Sequence, residues 1–148
     1  MEDEKTKYYN SDNLNLKALI ALSRCAQHVH KLEYRTIKEG GLTVSQFAVL
    51  EVLYHKGDLR VCEILEKILA TGGNMTVVID NLVKENLVMR TIDPTDKRVN
   101  LIRLTDKGQD LISSIFPCHA KNIDDIFSIL TEDEKKQLIN ILKKLSGV

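Results

Sequence analysis

The 148 residues contain no tryptophan, only two prolines and three cysteines, and seven glycines. So little proline and glycine excludes a collagen-like or low-complexity chain and leaves room for long helices. The cysteines, Cys25, Cys62 and Cys118, are odd in number and widely spaced, so they form neither a disulfide framework nor a CxxC metal knuckle and read as reduced thiols. An excess of one charge sign is missing too. The 21 basic residues cancel 21 acidic ones, and the whole molecule has no field that drives non-specific adhesion to nucleic acid or membrane. Any nucleic-acid role must rest on local charge. No apolar run approaches the ~20 residues that span a bilayer. The opening MEDEKTKYYNSDN is polar rather than signal-like, which reads as a cytoplasmic protein without a membrane partner. Gly-rich phosphate loops, GxSxG elbows and HExxH pairs are absent, and the carboxylates cluster in caps, termini and surface pairs. No residue set supports an enzyme or a cofactor.

What is present is a globular composition, 43% apolar and 28% charged, at a length that predicts one domain over residues 1–148. Ala18, Leu22, Cys25, Val29 and Leu32 recur at steps of 4, 3, 4 and 3 in a stretch free of Pro and Gly, which predicts a long helix with a seam that packs on another helix. Thr43-Val-Ser-Gln46 is a capping box opening a second helix that buries Phe47, Leu50, Leu53 and Tyr54. Gly57 suits its left-handed end, and Asp58 is placed to cap a short third helix with Val61, Ile64, Leu65 and Ile68 inward. After Thr71-Gly-Gly-Asn74, the spacing of Met75, Val78, Ile79 and Leu82 predicts a fourth helix ending near Asn86. The period then shifts towards two: Val88–Ile92, a polar loop Asp93–Arg98 and Val99–Leu104 read as a β-hairpin. From Thr105 a helical pattern resumes, with Pro117 expected to kink it, and Thr131-Glu-Asp-Glu134 caps a last helix carrying Leu138, Leu142 and Leu145. The expected fold is mainly α with a small β-hairpin wing.

Leu42-Thr-Val-Ser-Gln-Phe-Ala-Val-Leu50, the stretch Thr71 to Leu87, and Asp96-Lys-Arg98 followed by Leu104-Thr-Asp-Lys-Gly108 occur in an order and spacing that resemble the multiple-antibiotic-resistance regulator (MarR) family. The likeness covers roughly residues 14 to 145. It implies a winged helix-turn-helix region at about 42–107 and dimerisation helices at about 12–39 and 108–146. It further implies a homodimer on a pseudo-palindromic double-stranded DNA operator, often released by a small aromatic ligand or by thiol oxidation. The expected DNA-binding positions are Thr71, Gly73, Asn74, Thr76, Val77, Asn81, Lys84, Lys97 and Arg98. Relatives often carry a base-contacting Arg at the position of Val77, so Val there implies a different operator sequence. Arg98 matches the usual wing contact.

The residue chemistry is consistent with that role. With Met75, Val78, Ile79 and Leu82 inward, the fourth helix presents Asn74, Val77, Asn81 and Lys84 outward, where Asn suits adenine and Val a thymine methyl. Backbone N–H groups at Gly72-Gly73 suit a phosphate. A cation on the hairpin tip suits the minor groove, with Asp96 orienting the Arg98 guanidinium. The alternatives are an ordinary polar helix face and a solvated charged turn. Between Lys84 and Lys107 six basic residues face four acidic ones, a local net of only +2, so the expected affinity is moderate and salt-sensitive.

Two release mechanisms are open. A phenolic or quinone-like ligand between the reading head and the dimer helices would meet Cys25, His28 and Tyr54, in a largely apolar pocket with few polar groups. Alternatively Cys25 or Cys118 is a redox or electrophile sensor, although Cys25 in an apolar seam reads first as a packed small hydrophobe. His28 and His30 are two apart on a helix, point to different faces and make no metal site. A winged helix used only for protein–protein contact is a further class, one that needs no basic wing tip.

Overall fold

The computed structural model describes residues 13–68 and 75–147, so Thr71, Gly73 and Asn74 of the expected DNA-binding set lie outside the described residues. In chain order the elements are α1 (Leu14–Glu39), α2 (Val44–Lys56), β1 (Leu59–Arg60), α3 (Val61–Lys67), α4 (Met75–Lys84), β2 (Val88–Ile92), β3 (Asn100–Leu104), α5 (Asp106–Phe127) and α6 (Glu132–Ser146). Local chemistry sets most boundaries. Asn13 Oδ1 accepts from the Asn15 and Leu16 N–H groups at the start of α1. Both expected capping boxes form, Thr43 with Gln46 and Thr131 with Glu134. Asn86 takes φ +57° and turns α4 into β2.

The sheet is antiparallel, in the order β1-β3-β2. The short strand β1 is not visible in the periodicity, since two residues carry no alternation. Leu59 pairs with Ile102 and Arg60 with Leu101, and this pairing moves the start of α3 two residues beyond the expected cap. Asp58 therefore does not cap α3; its carboxylate instead accepts from the Arg103 guanidinium at 2.6 Å. The cap position is Arg60, whose backbone N–H donates to Glu63 at 2.8 Å.

Phe47, Leu50 and Leu53 of α2, Ile64 of α3, Ile79 and Leu82 of α4, Val88 and Ile102 of the sheet and Ile112 and Ile115 of α5 form one buried cluster. Leu65 departs from expectation: it is exposed, because a seven-residue helix turns only one narrow face to that cluster. Tyr54 is half-buried at its edge. The helix α5 continues through Pro117 as a single 22-residue element. Its first turn passes so close to the α4–β2 turn that a Cβ on Gly108 would lie 1.9 Å from the Leu87 carbonyl oxygen. The two terminal helices are less covered. Along α1 Ala18, Leu22 and Cys25 are exposed, so the seam expected to bury Cys25 has no partner for its first half among the described residues. α6 buries no residue and exposes Ile139, Ile141, Leu142 and Leu145.

Candidate nucleic-acid interface and effector cleft

The helix α4 is pinned by Met75, Ile79 and Leu82, which are buried, and this forces Val77, Asn81 and Lys84 outward at the i, i+4, i+7 spacing of one face. Val77 is 48% exposed and Thr76, Asn81 and Lys84 are also exposed. Asp80 shares that face, which sequence reasoning passed over. Its carboxylate would repel a phosphate, but Arg90 of β2 donates to it through Nη2 at 2.5 Å and cancels the charge. The same contact ties α4 to the wing.

The wing is β2, β3 and the turn between them. Its root is held by Asp93, 6% exposed, which accepts from Thr95 N at 2.8 Å and Thr95 Oγ1 at 2.6 Å. The Arg60 guanidinium donates to the other carboxylate oxygen at 2.7 and 3.2 Å. The Thr95 hydrogen bonds, with Arg60 beside them, hold the Asp93 carboxyl far below the usual carboxylate range. Arg60 and Asp93 lie 33 residues apart, and only the β1–β3 pairing shows that they meet. At the tip Asp96 accepts from the Arg98 backbone N–H at 3.0 Å and from its Nε at 3.4 Å, the orienting contact expected of it. The Arg98 side chain is 92% exposed, and Lys97 beside it is exposed as well.

A cleft of about 470 Å³ opens between the end of α1, α2 and the end of α3. Val44, Ala48, Val52 and Ile68 give it an apolar floor, and His30, Glu33, Glu51 and His55 are among its polar rim. Glu33 joins the cleft to a buried site behind it. Its carboxylate contacts His30 Nδ1 at 3.1 Å and stands 3.8 Å from His119 Nε2. His119 of α5 is 5% exposed, contacts Thr36 Oγ1 at 3.1 Å and packs on the Phe47 ring at a centroid distance of 4.5 Å. Cys25 and His28 are exposed on α1, more than a turn before Glu33, and Tyr54 contacts the His55 and Phe116 rings. None of these three lines the cleft. The 3.5-type periodicity of α1 carries no signal for Glu33 or His119, because the residues that complete their site are distant in sequence. Cys62 and Cys118 are exposed. Among the described residues no group of three or more His, Cys, Asp or Glu is placed to hold a metal ion, and no helix is long and apolar enough to cross a membrane.

A model of the MarR family matches residues 42–99, the segment from α2 to the wing. The HTH-type transcriptional regulator MhqR of Bacillus subtilis (strain 168) is 40% identical over 131 residues, covering 88% of this chain and 90% of the relative. Among solved structures, Bordetella bronchiseptica BpsR, whose DNA binding is regulated by 6-hydroxynicotinic acid, has a TM-score of 0.76 and 26% identity over 95% of this chain and 96% of its own. The organohalide-sensing regulator RdhR-CbdbA1625 in its 2,4-dichlorophenol-bound form shares the fold, with a TM-score of 0.79 at 18% identity over 94% of this chain and 83% of its own. With a winged head, flanking helices and this identity along nearly its full length, the chain belongs to the MarR family of DNA-binding winged helix-turn-helix transcriptional regulators.

Proposed function

We propose that the protein is a homodimeric, sequence-specific repressor that reads a pseudo-palindromic operator and lets go when a small phenolic or quinone-like molecule enters the α1–α2–α3 cleft. The observation that carries the DNA half is the pairing of an outward α4 face, Val77, Asn81 and Lys84, with an exposed cation at the wing tip, Arg98. Asn81 and Val77 meet base edges, Thr76 and Lys84 the backbone, and Arg98 with Lys97 the minor groove. Thr71, Gly73 and Asn74, which precede α4 in the sequence, complete the proposed set. Uncovered apolar faces on α1 and α6 support dimerisation, and two-fold symmetry calls for half-sites about one helical turn (~10 bp) or a little more apart.

The ligand half rests on the cleft and on the likeness of the whole chain to a family member whose DNA binding is regulated by 6-hydroxynicotinic acid. An apolar floor with a few convergent polar groups suits a flat hydroxylated ring. Glu33 gives entry consequences beyond the cleft, since it stands between the rim His30 and His119, where α1, α2 and α5 meet. A ligand acts only by binding the two spacings of the recognition helices with different affinity. The exposure of Cys25 and Cys118 supports the alternative thiol-based trigger.

Operator affinity measured against salt for Arg98→Ala tests the DNA half: binding weakens across all sequences and the salt slope falls by about 1. Unchanged binding would remove the wing contact and leave the α4 face alone on the operator, whereas a wild type that binds no duplex would leave a protein–protein module. Replacing all three cysteines by Ala separates the triggers, since release by a phenolic compound that survives the change belongs to the cleft.

A further inference from the structure

We propose that the outward face of α1 is a second, sequence-independent docking surface for the phosphate backbone of nucleic acid, separate from the operator surface on α4 and the wing. Lys17, Arg24, His28, Lys31, Arg35 and Lys38 follow one another at steps of 7, 4, 3, 4 and 3, and all six are exposed. At 3.6 residues per turn they fall within an arc of about 80°, along about 31 Å of helix. The opposite side of the same helix turns towards the molecule: Ile37 is buried, and Val29, Leu32 and Thr36 are half-buried. The row therefore runs along the side of α1 turned away from Ile37 and Val29, and at Arg35 it borders a groove against Cys118, Lys121, Asn122 and Asp125 of α5.

Charge distinguishes this row from an ordinary solvated face. α1 carries five Lys and Arg against two Glu in a chain whose total charge is zero. Of the two, Glu33 faces the cleft and Glu39 lies about 20° beyond the edge of the row's arc. Among the described residues Arg24, Lys31, Arg35 and Lys38 make no salt bridge. The head is the reverse: each of its arginines, Arg60, Arg90, Arg98 and Arg103, contacts an aspartate. Four cations without a salt bridge, Arg24, Lys31, Arg35 and Lys38, thus share one helix face outside the head, whereas among the described residues on the reading surface of the head only the lysines Lys84 and Lys97 are without one. A straight row about as long as one duplex turn is complementary to a polyanion with regularly repeated charge, and phosphate contacts of this kind carry no base preference. The competing occupant is a second copy, whose acidic first turn of α6, Glu132-Asp-Glu134, also has the opposite sign.

The inference rests on the DNA-binding reading of the family, and its test keeps the two apart. The full chain is titrated with a scrambled duplex of about 60 base pairs over a range of salt, and its mass is followed by sedimentation. Arg24→Gln/Lys31→Gln lowers the slope of log K against log salt by about 1.8, two phosphate contacts at about 0.9 each, with no change in mass. The charge-preserving pair Arg24→Lys/Lys31→Arg retains the slope. If the slope of the Gln pair is unchanged while Lys84→Gln/Arg98→Gln lowers it, the row is overturned and the head survives. If neither pair moves it, both fail. A change in mass with the Gln pair assigns the row to the second copy and overturns the proposal.

Discussion

At the scale of single residues, two aspartates decide how the head presents itself. Asp93 gains its Thr95 and Arg60 contacts only in the folded chain, and its carboxyl is held below the value near 3.9 that it has when unfolded. A depressed folded-state value means that the contact stabilises the wing fully above about pH 4 and that this contribution is lost as pH falls below it. We expect the wild type to lose melting temperature between about pH 4 and 2 more steeply than Asp93→Asn, which thermal unfolding at stepped pH measures. Parallel curves would show that the contact adds nothing. Asp80 depends on Arg90 in a different way. Arg90→Met leaves a bare carboxylate on the reading face, so operator binding should weaken more than for the exposed Lys97→Met, and Asp80→Asn in the same chain should restore most of it. Polarisation titrations of the three variants test this order.

Among the elements, the junction between the α4–β2 turn and α5 is the tightest. Thr105 caps α5 through the Gly108 N–H at 3.0 Å and donates its hydroxyl to the Asn86 carbonyl at 2.6 Å, while the Thr105 N–H reaches Leu87 O at 3.1 Å. Gly108 lies inside a helix with no left-handed backbone, so its glycine answers to space alone: the neighbour is backbone and has no rotamer with which to yield. Gly108→Ala should destabilise by about 1–3 kcal/mol, the usual cost of overpacking, in spite of alanine's higher helix propensity. Urea unfolding measures it. A neutral or stabilising result would mean that α5 slides away from the turn without penalty.

For the whole molecule the terminal helices matter most. The apolar residues Leu19, Ile20 and Leu22 on α1 and Ile139, Leu142 and Leu145 on α6 are exposed in the single chain, and apolar residues grouped on helix faces in this way point to an interaction surface. The expected outcome is a dimer by sedimentation at micromolar concentration. Leu142→Glu/Leu145→Glu should lower the mass towards that of one chain and weaken operator binding well beyond tenfold, because two linked heads bind with an effective concentration that one head lacks. A double variant that keeps the dimer mass would place the interface elsewhere.

Periodicity and caps were enough to read the helices, the hairpin and the outward face of α4, because those features depend on neighbours three, four or seven positions away. The capping boxes at Thr43 and Thr131, the turn at Asn86 and the wing-tip Asp96–Arg98 contact are equally local, and each formed as its residues required. β1 was not legible, since two residues have no period, and with it went the true start of α3 and the Arg60–Asp93 lock. The Glu33–His119 contact was not legible for the same kind of reason, since the two residues meet across 86 positions. Burial of a histidine against Phe47, cancellation of Asp80 by Arg90 and the exposure of Cys25 depend on which helices pack together and at what distance. Long-range packing energies fix those choices, and they leave no mark on the local order of residues.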